Sequence, residues 1–188
     1  MKVSLNEICR DFLSLRGESP DLLPILEEGE DSAVLMLSRQ LEAAIPMTAT
    51  EATCSLPPLM LETATKLTGK FSEISNKFGK LYLPEGYLKL VSVKLYDWEE
   101  PVRATESENS LRRELGANAP SWMICRHNPM VTEERDEKGR YLKVYGSDAF
   151  EEGYELVYVP NPEFTAGDLT ISRSAYFKML KILNDSIQ

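Results

Sequence analysis

The stretch Leu81 to Trp98 constrains this chain most: Leu-Tyr-Leu-Pro-Glu-Gly-Tyr-Leu-Lys-Leu-Val-Ser-Val-Lys-Leu-Tyr-Asp-Trp. Its Pro-Glu-Gly corner bars a continuous helix, and the Val-, Leu- and Tyr-rich run beyond it predicts the longest β-strand of the protein. Alternation within the run slips. Leu88 and Leu90 share one parity, Val91, Val93 and Leu95 take the other, and Tyr96 and Trp98 return to the first. One extra residue in a strand produces such a slip, so a β-bulge near Leu90 to Ser92 is expected; a strand buried on both faces gives the same pattern. In either case the strand is expected to sit centrally between two neighbours, with Leu88, Val93 and Leu95 mostly buried.

Helical patterns flank this region. Ser4 and Glu7 form a capping-box pattern ahead of Leu5, Ile8, Cys9 and Phe12, with Leu13 or Leu15 completing the stripe, which predicts a helix from Ser4 to Arg16 stopped by Gly17. Ser19-Pro20 opens a connector whose Leu22, Leu23, Ile25 and Leu26 suit a turn of helix. The acidic run Glu27 to Asp31 then favours the N-terminus of a second helix, Ser32 to Ile45, burying Val34, Leu37, Leu41 and Ala44 and ended by Pro46. Near the other end, Asp168 or Thr170 caps a helix running to the terminus, with Leu169, Tyr176, Leu180, Leu183 and Ile187 in one stripe and Phe177 and Met179 beside it.

Between these patterns the chain reads as strands and turns. Leu59, Leu61, Thr63 and Thr65 alternate with polar and small residues, which favours a strand, although Pro57-Pro58 also suits a helix start. Turns are expected at Gly69 and at Asn76 to Gly79, with Phe71 and Ile74 facing inward. After Trp98, Glu99 to Val102 leaves the sheet, Ser107 to Leu115 forms a short capped helix ending at Gly116, and Ser121 to Arg126 and Met130 to Arg135 are short strands. The plainest hairpin joins Val131–Arg135 to Arg140–Tyr145 through Asp136 to Gly139, with Leu142 and Val144 inward and Gly139 at positive φ. A polar loop, Gly146 to Glu152, precedes a strand from Gly153 to Pro160, in which Tyr154, Leu156 and Tyr158 lie opposite Val157 and Val159; Pro160 and Pro162 close the sheet. The fold class is therefore α+β: a helical layer with an inserted antiparallel β-sheet. One domain is expected over 1–188, with helical parts at about 1–45 and 165–188 and a β-rich middle at about 59–162.

Chemistry-bearing residues are sparse. The single histidine, His127, follows Cys125 at i+2, which on a strand places both on one face, yet no third group orients a Cys-His pair and Asn128-Pro129 points to a strand end. Cys125, His127 and a carboxylate make a poor metal set, because Cys9 and Cys54 lie in distant segments; buried thiols are the simplest reading of all three cysteines. Phosphate-binding glycine loops and metalloprotease or serine-hydrolase motifs are missing. Glu27 to Asp31, Glu133-Glu134 and Glu151-Glu152 lack the ligand spacing of a calcium loop and read as solvated charge. Seven tyrosines, Tyr82, Tyr87, Tyr96, Tyr141, Tyr145, Tyr154 and Tyr158, lie on or beside strands, where sheet packing explains them more simply than a contact surface. The net charge of −9 argues against a nucleic-acid-binding face, and Arg112-Arg113, the one adjacent basic pair, sits between Glu108 and Glu114. No segment is long and apolar enough to span a bilayer, and the N-terminus turns polar too early for a signal peptide, so a cytoplasmic location is expected. No catalytic, cofactor-binding or metal-ligating residue is assigned, and the chain reads as a binding or assembly component rather than an enzyme.

Two N-terminal helices, the segment Leu83-Pro84-Glu85-Gly86-Tyr87-Leu88-Lys89-Leu90-Val91-Ser92-Val93 leading to Trp98-Glu99-Glu100-Pro101-Val102, a short helix before Pro120, the Gly139 hairpin, the strand Tyr154 to Pro162 and a C-terminal helix form a familiar order. The whole resembles the head-to-tail adaptor, or neck, proteins of tailed phages and prophages; only residues 83–102 are distinctive as a motif. The resemblance implies a helical bundle with a β-sheet insertion, a homo-oligomeric ring between portal and tail built through helical contacts, a virion location, and no catalytic residues. A bacterial protein-binding or scaffolding module of other partnership is the alternative.

Overall fold

The computed structural model describes residues 1–18 and 32–187. In chain order the elements begin with β1 (Lys2–Ser4), α1 (Leu5–Leu15) and α2 (Ser32–Ser55). Next come β2 (Thr65–Gly69), β3 (Glu73–Ile74), β4 (Phe78–Tyr82), β5 (Tyr87–Leu95), α3 (Leu111–Leu115), β6 (Met130–Asp136), β7 (Gly139–Tyr145) and β8 (Tyr154–Pro160). The chain closes with β9 (Glu163–Thr165), β10 (Asp168–Thr170) and α4 (Arg173–Ser186). Every strand pairing among the described residues is antiparallel, and the class is α+β as expected. Two compact units result: Met1–Thr63 with Asn161–Gln188, and the continuous stretch Ala64–Pro160.

In the first unit, Ser4 caps α1 as the sequence predicts. Its backbone N–H and its hydroxyl each donate to Glu7 Oε2 at 2.8 Å, which holds the Glu7 carboxyl below its ordinary pKa, and the Glu7 N–H donates to Ser4 Oγ at 3.3 Å. Ile8, Cys9, Phe12 and Leu13 are buried, whereas Leu15 is exposed, which settles the stripe. The expected turn at Leu22 to Leu26 lies outside the described residues, as does the side chain of Val34. The second helix departs from expectation, because α2 runs through Pro46 to Ser55. Leu41, Ile45, Thr48, Ala49, Ala52 and Thr53 form one buried stripe that continues past the proline, while Glu42 and Pro46, the two residues of the lost i→i−4 bond, are exposed. The buried threonines fit that stripe because the Oγ1 hydroxyls of Thr48 and Thr53 each donate to an i−4 carbonyl, of Ala44 and Ala49, at 2.8 Å.

The C-terminal helix is capped by Ser172, which accepts from the Ala175 N–H at 3.2 Å, and not by Asp168 or Thr170. Those two residues, with Leu169, belong to β10, which pairs with both β9 and β1. The hairpin turn between β9 and β10 uses Ala166 and Gly167 at φ 54° and 81°, both positive as a tight two-residue turn requires. Tyr176, Met179, Leu180 and Leu183 face the core, and Phe177 does not. Tyr176 donates its hydroxyl to Asp11 at 2.6 Å, tying α4 to α1; burial, reinforced by that carboxylate, raises its pKa.

The second unit holds two sheets, in strand orders β2-β8-β5 and β3-β4-β7-β6. Its core gathers Leu81, Leu90, Val93, Leu95, Leu142, Val144 and Leu156 around Trp98, with Phe71 set edge-on to Phe150 at 5.7 Å. Gly79 admits Phe71, since a Cβ there would lie 2.7 Å from the Phe71 ring. The nine-residue β5 is the longest strand, as expected, but it is an edge strand. Beyond β8 it forms a bridge to Val102, which the turn through Glu99-Glu100-Pro101 brings back to Val93 instead of away from the sheet. The expected phase slip is present, and doubled: Leu88 and Val91 both drop out of the pairing with β8. Burial therefore recurs at Tyr87, Leu90 and Val93 before Leu95, and Leu88 is half-buried instead of buried.

Elsewhere in the chain, Pro57-Pro58 begins a short 3₁₀ turn, Pro58–Met60, and strand pairing starts only at Thr65. Ile74 is 44% exposed rather than inward-facing, because β3 is a two-residue edge strand. Phe78 and Gly79 belong to β4, not to a turn. The short helix α3 begins at Leu111 with Ser110 as its cap, later than Ser107. Pro120 starts a turn, its carbonyl accepting from the Met123 N–H at 2.8 Å, so Ser121 to Arg126 is not a strand. The hairpin of β6 and β7 forms in the expected register, with Leu142 and Val144 buried and Gly139 at φ 133°.

Candidate functional site

Within Ala64–Pro160, a groove of about 710 Å³ opens beside Tyr145. One wall is the Gly146-Ser147-Asp148 loop, which follows β7. The Trp98 indole N–H donates to the Gly146 carbonyl at 2.9 Å, and the Asp97 carboxylate accepts from Ser147 Oγ at 2.7 Å and from the Asp148 N–H at 2.9 Å. Gly146, at φ 84°, is required there: a Cβ would stand 2.7 Å from the Cys125 carbonyl oxygen of the opposite wall.

That opposite wall belongs to the long connection between β5 and β6, which side chains hold from within. Arg112 pairs with Glu106 at 3.2 Å and donates to the carbonyls of Asn128 and Pro129 at 3.1 and 2.9 Å. Arg113 donates to the Glu106 and Glu133 carbonyls at 3.3 and 3.1 Å, and Asn128 Nδ2 donates to the Met123 carbonyl at 2.8 Å. The adjacent arginines thus serve loop structure, using planar donor forks on backbone acceptors. The same connection leaves Leu111 59% and Trp122 76% exposed.

Cys125 and His127 both reach the groove. They lie in a turn closed by Cys125 and Asn128, where the Asn128 N–H donates to the Cys125 carbonyl at 2.9 Å. Both imidazole nitrogens are engaged: Arg126 Nε donates to Nε2 at 3.1 Å, which leaves Nδ1 to donate to Glu99 Oε1 at 3.0 Å. Both ring nitrogens are thus directed at Arg126 and Glu99. Among the cysteines, Cys9 is buried, and burial raises its thiol pKa; Cys125 is half-buried and Cys54 exposed, so the buried-thiol reading holds for Cys9 alone. Among the described residues, no cluster of three His, Cys, Asp or Glu side chains has a metal-holding arrangement.

The strand tyrosines mostly pack. Tyr87 stacks on Tyr158 at 5.6 Å, and Tyr82 meets Tyr141 edge-on at 5.9 Å; Tyr96, at 80% exposure, stands out. On one face of β4 and β7, Lys80 lies 4.0 Å from the Tyr141 ring centroid and 2.5 Å from Asp136 Oδ2, which also accepts from the Tyr82 hydroxyl at 2.9 Å. The lysine draws the Asp136 carboxyl down to about 2 and is itself held above the usual lysine range by that carboxylate. Burial, with a 2.8 Å hydrogen bond donated to Glu134, pushes Tyr141 up to about 12.

The groove escaped sequence reasoning, because its lining comes from three separate segments, Asn76-Lys77, Gly116 to His127 and Tyr145 to Asp148, and Gly146 stands in an unremarkable polar loop. Compared with known proteins, the chain matches no family model and no curated relative. Among the described residues, no helix is long and apolar enough to cross a membrane.

Proposed function

We propose that the protein is a structural assembly component that acts by docking on other proteins, as a head-to-tail adaptor-like subunit adding to a portal as a ring. The observation that carries this reading is the β5–β6 connection: its backbone is fixed by Arg112, Arg113, Glu106 and Asn128, yet it presents Leu111 and Trp122 to solvent. Holding apolar side chains outward on a pre-ordered loop lowers the ordering cost of association, and tryptophan is a strong interface anchor. The Leu83 to Val102 segment on which the phage resemblance rests forms β5 and the Trp98 support of the groove, so it belongs to the same unit as that surface.

The test is direct. The purified chain is mixed with the portal encoded nearest to it, and the particles are imaged by electron microscopy. Added ring density is the expected result. Absence of such density with both components folded removes the adaptor reading and leaves the protein-binding or scaffolding module of other partnership.

A further inference from the structure

We infer that the open edge of β2 receives an extended strand of the partner protein, one in which polar and apolar residues alternate and an apolar side chain lies beside Leu67. The inference rests on the docking reading and adds a mode of binding and a residue pattern for the partner. Of the described outer strands in Ala64–Pro160, β2 is the one with a straight, uncovered edge. β6 is capped from outside, its Val131 carbonyl accepting from the Glu106 N–H at 2.7 Å and its Glu133 carbonyl from Arg113 at 3.1 Å. β5 is bent by two bulges and bridged at Val93 to Val102, and β3 has only two residues. By contrast β2 pairs with β8 without a break, from Thr65 opposite Tyr158 to Gly69 opposite Tyr154, and among the described residues its outward N–H and C=O groups find no hydrogen-bond partner. No proline interrupts it, and its one charged residue, Lys66, reaches to 2.7 Å from Glu155 on β8, so that side chain leans over the sheet and leaves the edge clear. A row of unpaired backbone groups with none of the usual blocking devices is complementary to another extended backbone.

Side chains set the pattern of the occupant. Val93, Leu156 and Leu67 stand opposite one another on β5, β8 and β2, a row across the core face of the sheet; Val93 and Leu156 are fully buried, whereas Leu67 is 37% exposed. The row ends half-covered, and an apolar residue on a fourth strand completes it. On the other face, the row Lys94, Glu155 and Thr68 is polar, so the residues flanking that apolar one are polar. Pairing of β2 with β2 of a second copy is two-fold and closes on itself, whereas a ring needs head-to-tail contacts, which makes a second copy the weaker occupant.

The experiment titrates the ¹⁵N-labelled full chain with N-acetyl-Glu-Val-Thr-Val-Thr-Val-Glu-amide and with two N-methylated versions of it, one methylated on the valine nitrogens and one on the threonine nitrogens. The parent peptide is expected to shift the Thr65 to Gly69 amides saturably and to slow hydrogen exchange at the outward ones about tenfold or more. One methylated peptide should bind and the other should not, because alternate amides of a strand face opposite edges. Leu67→Lys should weaken the parent peptide about tenfold or more, whereas Ile74→Lys, the same change on the exposed edge strand β3, should alter it little. Leu67→Thr, with a smaller loss, serves if the lysine disturbs folding by circular dichroism. No saturation at millimolar peptide, shifts centred on another strand, equal binding of the two methylated peptides, or indifference to the Leu67 substitutions overturns the inference. Protection of the same amides that rises with protein concentration in the absence of peptide assigns the edge to a second copy and overturns it too. Ring density on the portal without peptide binding removes this inference and leaves the adaptor reading standing; peptide binding without ring density does the reverse.

Discussion

Lys80 shows how one residue sets the chemistry of a sheet face. Its ammonium sits between Tyr82, Tyr141 and the Asp136 carboxylate, and the folded Asp136 pKa of about 2 lies below the ordinary 3.8. A depressed carboxyl contributes stability that is present above the unfolded value and lost as pH falls through the folded one, so this pair weakens between about pH 4 and pH 2. The matching lysine shift runs the other way: its contribution is present below the ordinary lysine value and is lost only as pH climbs past the raised one. In Lys80→Met the Asp136 midpoint should rise toward the ordinary carboxylate range, held partly down by Tyr82 and the Lys138 N–H, which an NMR pH titration reads; an unmoved midpoint contradicts the assignment. None of this was legible from the sequence, where Lys80 and Asp136 lie 56 residues apart and join only through the pairing of β4, β7 and β6. Gly139 was legible because the hairpin turn around it is local. Gly146 was not, because the contact that requires glycine is with the distant Cys125.

At the scale of elements, β5 and α2 show where pattern succeeds and where it yields. The slipped alternation announced a bulged strand, and two bulges make Leu88 half-buried and Leu95 fully buried. Leu95→Ala should therefore cost about 2–4 kcal/mol, and Leu88→Ala clearly less, in denaturant melts; equal losses contradict the doubled bulge. In α2 the proline rule lost to packing, since a buried stripe on the far side of the helix continues through Ile45 and Ala49 while Pro46 faces solvent. Pro46→Ala should restore one helix bond and remove the ring clash, a gain of about 3 kcal/mol in the folded helix, offset by about 0.4–1 kcal/mol of added freedom in the unfolded chain. A lower melting temperature in the alanine variant argues against this account. The hairpin of β9 and β10 stayed hidden because its strands have three residues each and its turn is Ala-Gly rather than Asn-Gly.

At the scale of the molecule, the acidic balance and the inserted unit matter most. If the surface lining a DNA channel shares the net charge of −9, duplex DNA passes it with little residence, an effect that screening confines to about 8 Å at physiological salt. On the adaptor proposal, the isolated protein should sediment as a monomer and fail to retain duplex DNA even at low salt; retention that disappears as salt rises contradicts this. The alternation of helical and strand segments was legible along the chain, but the division at Ala64 and Pro160 was not marked by any linker-like composition. That division has a mechanical side. The inserted stretch begins just before β2 and ends with β8, and these two strands are antiparallel neighbours, with Thr65 opposite Tyr158. Its two ends therefore emerge at the same end of one strand pair. Tension applied through the flanking chain pulls that pair apart from the end, one hydrogen-bonded rung after another, instead of shearing all rungs at once. The inserted unit should thus begin to open under load at the Thr65–Tyr158 end, rung by rung between β2 and β8, which force spectroscopy on the flanking chain would read as a low, progressive unfolding force.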